Sequence, residues 1–292
     1  LTGTISASIA LVATMTPKRR LGYSLGVMQT AVFVGASVGP FIGGVAADVL
    51  GFRPTFFMTG ILLAAAGLVV LLFVQEDFER DAEQPPLRVR SLLLGVRQAI
   101  TSSRLLALVI IFFLLQAATM TISPVLPLFV QDLEVNGRAV ATMAGAILAV
   151  TGAAGAVGAI LSGRLSDRLG YRRVFIASAA MAGALHIPQA LVTDSVQLLV
   201  LRAAVGLFLG GMLPAANAMV SAITPKENRG AVYGVTASAQ ALGNAVGPAS
   251  GALVAAAVGI RAVFLVTAAI LLALSVWSVR ALAADYAETP RR

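Results

Sequence analysis

Charge is scarce in this sequence, so the places where it gathers are the first candidates for chemistry. The densest is Gly163-Arg-Leu-Ser-Asp167-Arg168-Leu-Gly170-Tyr-Arg172-Arg173, one carboxylate among four arginines. Such a carboxylate can cap a helix start or pair with a basic neighbour. A cluster of this kind between helical bundles holds one conformation until it breaks, and Gly170 predicts a tight turn inside it. A second pattern, Arg202-x-x-x-Gly206-x-x-x-Gly210-Gly211, sets an arginine inside an apolar segment. A central cation there costs about 2.5–3.5 kcal/mol on insertion scales, so Arg202 either snorkels outward or has work to do. The remaining polar residues within apolar runs are Gln29, Gln116, Thr119, Asn217, Gln240 and Asn244. Each alone suits a bond between helices. Together they describe a cavity, mostly apolar with a few donors and acceptors, of the kind that takes a small molecule. His186, beside Pro188 and Gln189, reads as a packing residue.

Other chemistries find no residues. There are no cysteines and one histidine, so neither a disulfide framework nor a zinc site is expected, and no cofactor. No Gly-rich loop with Lys and Ser/Thr is present to cradle nucleotide phosphates. No nucleophile–base pair or facing carboxylates suggest catalysis. The formal net charge of +8 would suit nucleic acid in a soluble protein. Here the bases sit in thin connectors without interleaved aromatics, which argues against it.

These residues must be positioned by elements that composition already describes. Of 292 residues, 58% are hydrophobic and 12% charged, too few charges to wet a soluble surface. Apolar runs long enough to cross a bilayer fall at 22–47, 55–75, 104–130, 139–162, 173–193, 196–222, 230–257 and 261–283, after a fragment at Leu1–Met15. The fold class is therefore an all-α polytopic membrane protein. Residues 76–103, with QEDFERDAEQPPLRVR at their start, read as a linker between a bundle within 1–75 and a second within 104–283; residues 284–292 form a tail. Pro124 and Pro127 are expected to loosen the third full span. Of 21 Lys and Arg residues, 17 lie in connectors 16–22, 76–104, 163–173, 224–230 and 280–292, leaving Arg53, Arg138, Arg202 and Arg261 for the other side. The richer side, with linker and C-terminus, is expected to be cytoplasmic. Asp48, Asp132, Glu134 and Asp194 then lie near the outer surface, and no acid stands mid-span. Leu1 opens the chain without a charged leader or cleavage site, which predicts no signal peptide.

The sequence repeats itself. TPKRRLGYSLGVMQTAVFVGASVGPFIGG from Thr16 aligns without a gap on TPKENRGAVYGVTASAQALGNAVGPASGA from Thr224, at an offset of 208. Gly22/Gly230, Gly26/Gly234, Gly35/Gly243, Gly39/Gly247, Pro40/Pro248 and Gly43/Gly251 are identical pairs. Both copies enter the membrane from the same side, as parallel repeats do about an axis along the membrane normal. The same offset predicts that about a hundred residues and three helices precede Leu1, giving twelve helices when intact.

Three patterns resemble those of a known family. Gly35-x-x-x-Gly39-Pro40-x-x-Gly43-Gly44 is similar to the antiporter motif on the fifth helix of drug:proton antiporters of the major facilitator superfamily. The Gly163–Arg173 pattern resembles that superfamily's loop signature, and the Arg202 pattern is similar to an arginine-and-glycine motif on its fourth helix. The resemblance implies a two-bundle transporter in the plasma or inner membrane, monomeric, moving lipophilic small molecules in exchange for protons by alternating access. It implies conformational roles for the glycines and prolines of both repeat copies, a latch at Asp167, and proton handling at Arg202. Gln29, Gln116, Asn217, Gln240 and Asn244 are then candidate cavity residues, with the coupling carboxylate in the missing helices. A carrier of sugars, amino acids or organic anions remains an alternative. So does a non-transporting membrane receptor or assembly factor on the same fold.

Overall fold

The computed structural model describes residues 8–9, 11–12, 15–17, 20–32, 34–35, 52–73, 102–133, 140–225 and 228–282. Gly39, Pro40, Gly43, Gly44, Asp48, Glu134, the 76–101 part of the linker and the 284–292 tail lie outside them. Helix α1 covers residues 21–32 and α2 Phe52–Phe73. The rest of the chain gives α3 Ser103–Thr121, α4 Leu126–Leu133, α5 Val140–Leu169, α6 Tyr171–Gln189, α7 Ser195–Ile223, α8 Arg229–Val258 and α9 Ile260–Ala281. Among the described residues, six helical stretches are long and apolar enough to cross a membrane, with α3 and α4 counted as one stretch, Ser103–Leu133. Helix α6, which carries the expected span 173–193, is not one of the six, but it packs between α7 and α9 as a full member of the bundle.

Each helix end has a local cause. The Ser102 hydroxyl accepts from Leu105 N to start α3, and the Asp194 carboxylate accepts from Gln197 N at 2.8 Å to start α7. Residues 122–125 break the helix after Thr121, where Pro124 removes a donor. Pro127 sits in the first turn of α4, where its missing N–H would have had no partner. The expected loosening at Pro124 is thus a break. Gly170, at φ 92°, is the single residue that reverses the chain between α5 and α6, and Gly259, at φ 104°, does the same between α8 and α9.

One expectation is corrected. The segment from Gly163 was read as a connector, yet α5 runs on to Leu169 and α6 begins at Tyr171. Arg164, Leu165, Arg168 and Leu169 are good helix formers, and nothing stops the helix before Gly170. The signature is two helix ends and one joint.

The second half packs as a bundle: α5 with α7, α7 with α6, α6 with α9, and α8 with α3. Small residues rather than large ones set these spacings, because lipid tails supply little hydrophobic drive between helices. A methyl at Gly210 would strike the Gly155 carbonyl, and one at Gly206 that of Thr151. Larger side chains fill the spaces left: Phe112, Phe175, Met212, Met219 and Tyr233 in one cluster. Phe129, Ile147, Leu198, Val263 and Phe264 form another, around α4. Ile9, Leu21 and Leu25 from the first half join the former cluster, whereas no residue of the α2 span is buried.

Candidate functional site

Among the described residues, the two halves meet backbone to backbone where α1 crosses the end of α5. Glycines at 22 and 26 are one turn apart and share a face, as do Ala159 and Gly163 on α5. A methyl at Gly22 would lie 2.7 Å from the Gly163 carbonyl oxygen, and one at Gly163 would lie 2.6 Å from that of Gly22. A methyl at Gly26 would collide with the Ala159 carbonyl. One turn further, the Thr30 hydroxyl lies 2.9 Å from the Gly26 carbonyl and 3.0 Å from that of Ala156, so one hydroxyl serves its own helix and its neighbour. The contact then ends: a methyl at Gly35 would meet nothing within 4 Å.

Asp167 locks this crossing. Its two carboxylate oxygens accept from Gly22 N at 2.8 Å and Tyr23 N at 2.9 Å, across 145 and 144 residues. These are among the first N–H groups of α1, which lack partners within their own helix and carry the positive end of its dipole. The carboxylate thus caps a helix start, but that of a distant helix of the other half rather than the next one in its own connector. Arg164 stands over the Tyr23 ring at 5.1 Å. The Tyr171 hydroxyl donates to Asp167 Oδ1 at 3.4 Å. Burial, then the Asp167 charge, push that hydroxyl above its ordinary value, so it stays a donor. Arg172 extends the construction sideways, donating to the Val279 carbonyl at the end of α9, where a cation complements the helix dipole.

The other predicted residues separate. Gln116 and Asn244 come together: Gln116 Nε2 donates to Asn244 Oδ1 at 2.7 Å across α3 and α8, with Asn244 exposed. Gln240 lies one turn before Asn244 on α8, half-buried. Thr119 bonds back to its own helix, at Leu115 and Gln116. Asn217 is buried where Tyr233 donates to its backbone carbonyl at 2.9 Å, so it belongs to the packed core rather than to an open wall. Gln29 is buried on α1. Gly243, Gly247 and Gly251 form one face against α3, where added methyls would strike Phe113, Ala117 and Thr121; Pro248 lies within the same helix. Arg202 does not snorkel: it is buried, 5.7 Å over the Phe264 ring.

Sequence reading missed the α1–α5 crossing. Its signal was present in Gly22, Gly26 and Thr30 at four-residue spacing, facing Ala156, Ala159 and Gly163. The pairing of two helices so far apart in sequence was not.

A family model described as Major Facilitator Superfamily matches residues 2–159 and 139–292. The multidrug resistance protein MdtG of Enterobacter lignolyticus is 36% identical over 270 residues, covering 92% of this chain and 64% of that protein. MdtG of Dickeya zeae is 34% identical over 274 residues, covering 92% of this chain and 65% of that protein. The chain thus spans a little under two thirds of these relatives' length. The crystal structure of the human organic anion transporter MFSD10 superposes with a TM-score of 0.78 at 19% identity, over 94% of this chain and 67% of that one, which shows a shared fold.

Proposed function

This chain belongs to the Major Facilitator Superfamily, and on that premise we propose that it is part of a secondary transporter that exports lipophilic small molecules. The membrane-spanning helices and the relatives named as multidrug resistance proteins support that reading. The observation that carries it is the Asp167 clasp on the start of α1. A bidentate, charge-assisted contact between the ends of two bundles is strong enough to favour one state and local enough to release. Two bundles joined by the 76–103 linker rock about a site near the bilayer midplane, with the glycine crossings as sliding surfaces. In this reading the clasped ends face the cytoplasm of a cell with this protein in its inner membrane, as a monomer, with its C-terminus inside. The Gln116–Asn244 pair offers a donor and an acceptor on an otherwise apolar wall, which suits cargo bound by shape and by one or two polar contacts. Protons are the coupling ion.

The test uses cells making the full-length protein. They accumulate less of a fluorescent lipophilic cation than control cells, and the difference vanishes under a protonophore. Asp167→Asn, which keeps the shape and removes the charge, lowers the export rate while leaving membrane insertion intact. Equal accumulation across a broad panel of lipophilic cations would overturn the reading.

A further inference from the structure

Four side chains form a row at the outer end of the second bundle: Arg202, Phe264, Phe129 and Arg261. Arg202 lies 5.7 Å over Phe264, the two rings are 4.8 Å apart, and Arg261 lies 5.6 Å over Phe129. The two arginines differ in how they are satisfied. Arg261 donates through Nη1 to the Ala190 carbonyl at 2.7 Å. Arg202 is 7% exposed, and its buried Nε and Nη2 have no hydrogen-bond partner in the protein.

An arginine cannot shed its proton, so this charge cannot be removed by titration. The ring face of Phe264 compensates it in part. Leu198, Val205, Ile147 and Phe264 are fully buried and supply no acceptor side chain. His186, also buried, lies 2.6 Å from the Ala182 carbonyl through Nδ1. The carboxylates among the described residues are engaged or exposed: Asp167 holds α1, Asp194 caps α7, and Asp132 faces outward from the protein. Water would satisfy the N–H groups but leave the charge.

We propose that Arg202 holds a small monovalent anion of the halide class, through its Nε and Nη2 donors, inside the outer half of the second bundle. Nε–H and the neighbouring Nη2–H lie along one edge of the guanidinium and point to a common spot in front of it, where a single compact ion accepts from both without displacing much of the buried surroundings. The site stands apart from the α1–α5 crossing and from the Gln116–Asn244 wall, so it serves the bundle's stability rather than cargo.

The experiment compares thermal unfolding of the full-length protein, purified in detergent, in sodium chloride and in sodium gluconate at equal ionic strength. Chloride raises the midpoint saturably by about 2–4 °C. Arg202→Met, which replaces the charge by an apolar chain, unfolds at one midpoint in both salts. Since that variant could misfold, bromide is also located by anomalous scattering in wild-type crystals, where its peak lies against Arg202 Nε and Nη2. Equal wild-type midpoints in the two salts, a chloride effect that survives in Arg202→Met, or bromide at the surface as an adventitious ion only would each overturn the proposal.

Discussion

Helices α1 and α8 carry the same motif and use it in opposite ways. On α1, Gly22 and Gly26 are pressed against α5 of the other half, while Gly35 faces open space. On α8, the counterparts Gly230 and Gly234 have nothing within 4 Å, while Gly243, the counterpart of Gly35, is pressed against α3 of its own bundle with Gly247 and Gly251. The motif therefore holds two glycine sets, one a half-helix beyond the other. The first serves contact between bundles, the second contact within a bundle. Each copy presses a different set. The two kinds of contact also differ in locking. The crossing between halves is closed by the charged clasp of Asp167, whereas neutral side chains accompany the crossing within a bundle, with Thr121 and Ser250 hydroxyls 3.3 Å apart.

That difference can be broken from the stronger side first. Gly251→Ala puts a methyl into the Thr121 carbonyl, backbone against backbone, with no side chain free to yield. It costs about 1–3 kcal/mol, read as a lower unfolding midpoint of the full-length protein in detergent. Gly26→Ala obstructs the Ala159 carbonyl in the same way. Because that contact joins two bundles, the expected loss is of association rather than of folding. The chain has no cysteines, so Tyr23→Cys with Arg164→Cys reports it on an empty background. The disulfide yield of that pair falls when Gly26→Ala is added, while the unfolding midpoint changes little.

Asp167→Asn weakens the same crossing less, by about 1 kcal/mol, since an amide still accepts one hydrogen bond but no longer answers the helix dipole. The disulfide yield of the Tyr23→Cys, Arg164→Cys pair then drops about fivefold. High salt has a smaller effect on the wild type than this substitution, because the clasp is partly buried. The smallest change is expected at the open positions. Gly234→Ala adds a methyl to free space and gains about 0.5–1 kcal/mol of helix propensity, a slightly raised midpoint. A loss there equal to that of Gly26→Ala would erase the distinction between the two copies.

Much of this was legible because a bilayer imposes severe rules. With no water to satisfy the backbone, apolar runs of spanning length must be helices, and six of the eight expected spans begin and end within four residues of the helical stretches, while 139–162 falls seven residues short of the end of α5. The eighth, 22–47, is helical from 21 to 32 and at 34–35, and passes beyond the described residues. The motif glycines were legible too, since four-residue spacing puts them on one face whatever that face meets. What they meet was not. Arg202 could be placed inside a span from its neighbours, but whether it snorkelled depended on Phe264, over sixty residues later. The end of α5 was misread for a related reason: a charge-rich stretch suggested a loop, and only Gly170 terminates the helix.

The sequence by itself determined the helices, a weak point at Pro124, a tight turn at Gly170, the repeat, and the resemblance to a transporter family. Those follow from local rules: period, length, proline and glycine. Only the tertiary structure decided that Asp167 caps a helix 145 residues away, that Gln116 grips Asn244, and that one motif presses different glycines in its two copies. Such contacts depend on which helices lie side by side. In lipid, where apolar faces attract one another little, that choice rests on shape and a few polar bonds, which no stretch of sequence carries alone.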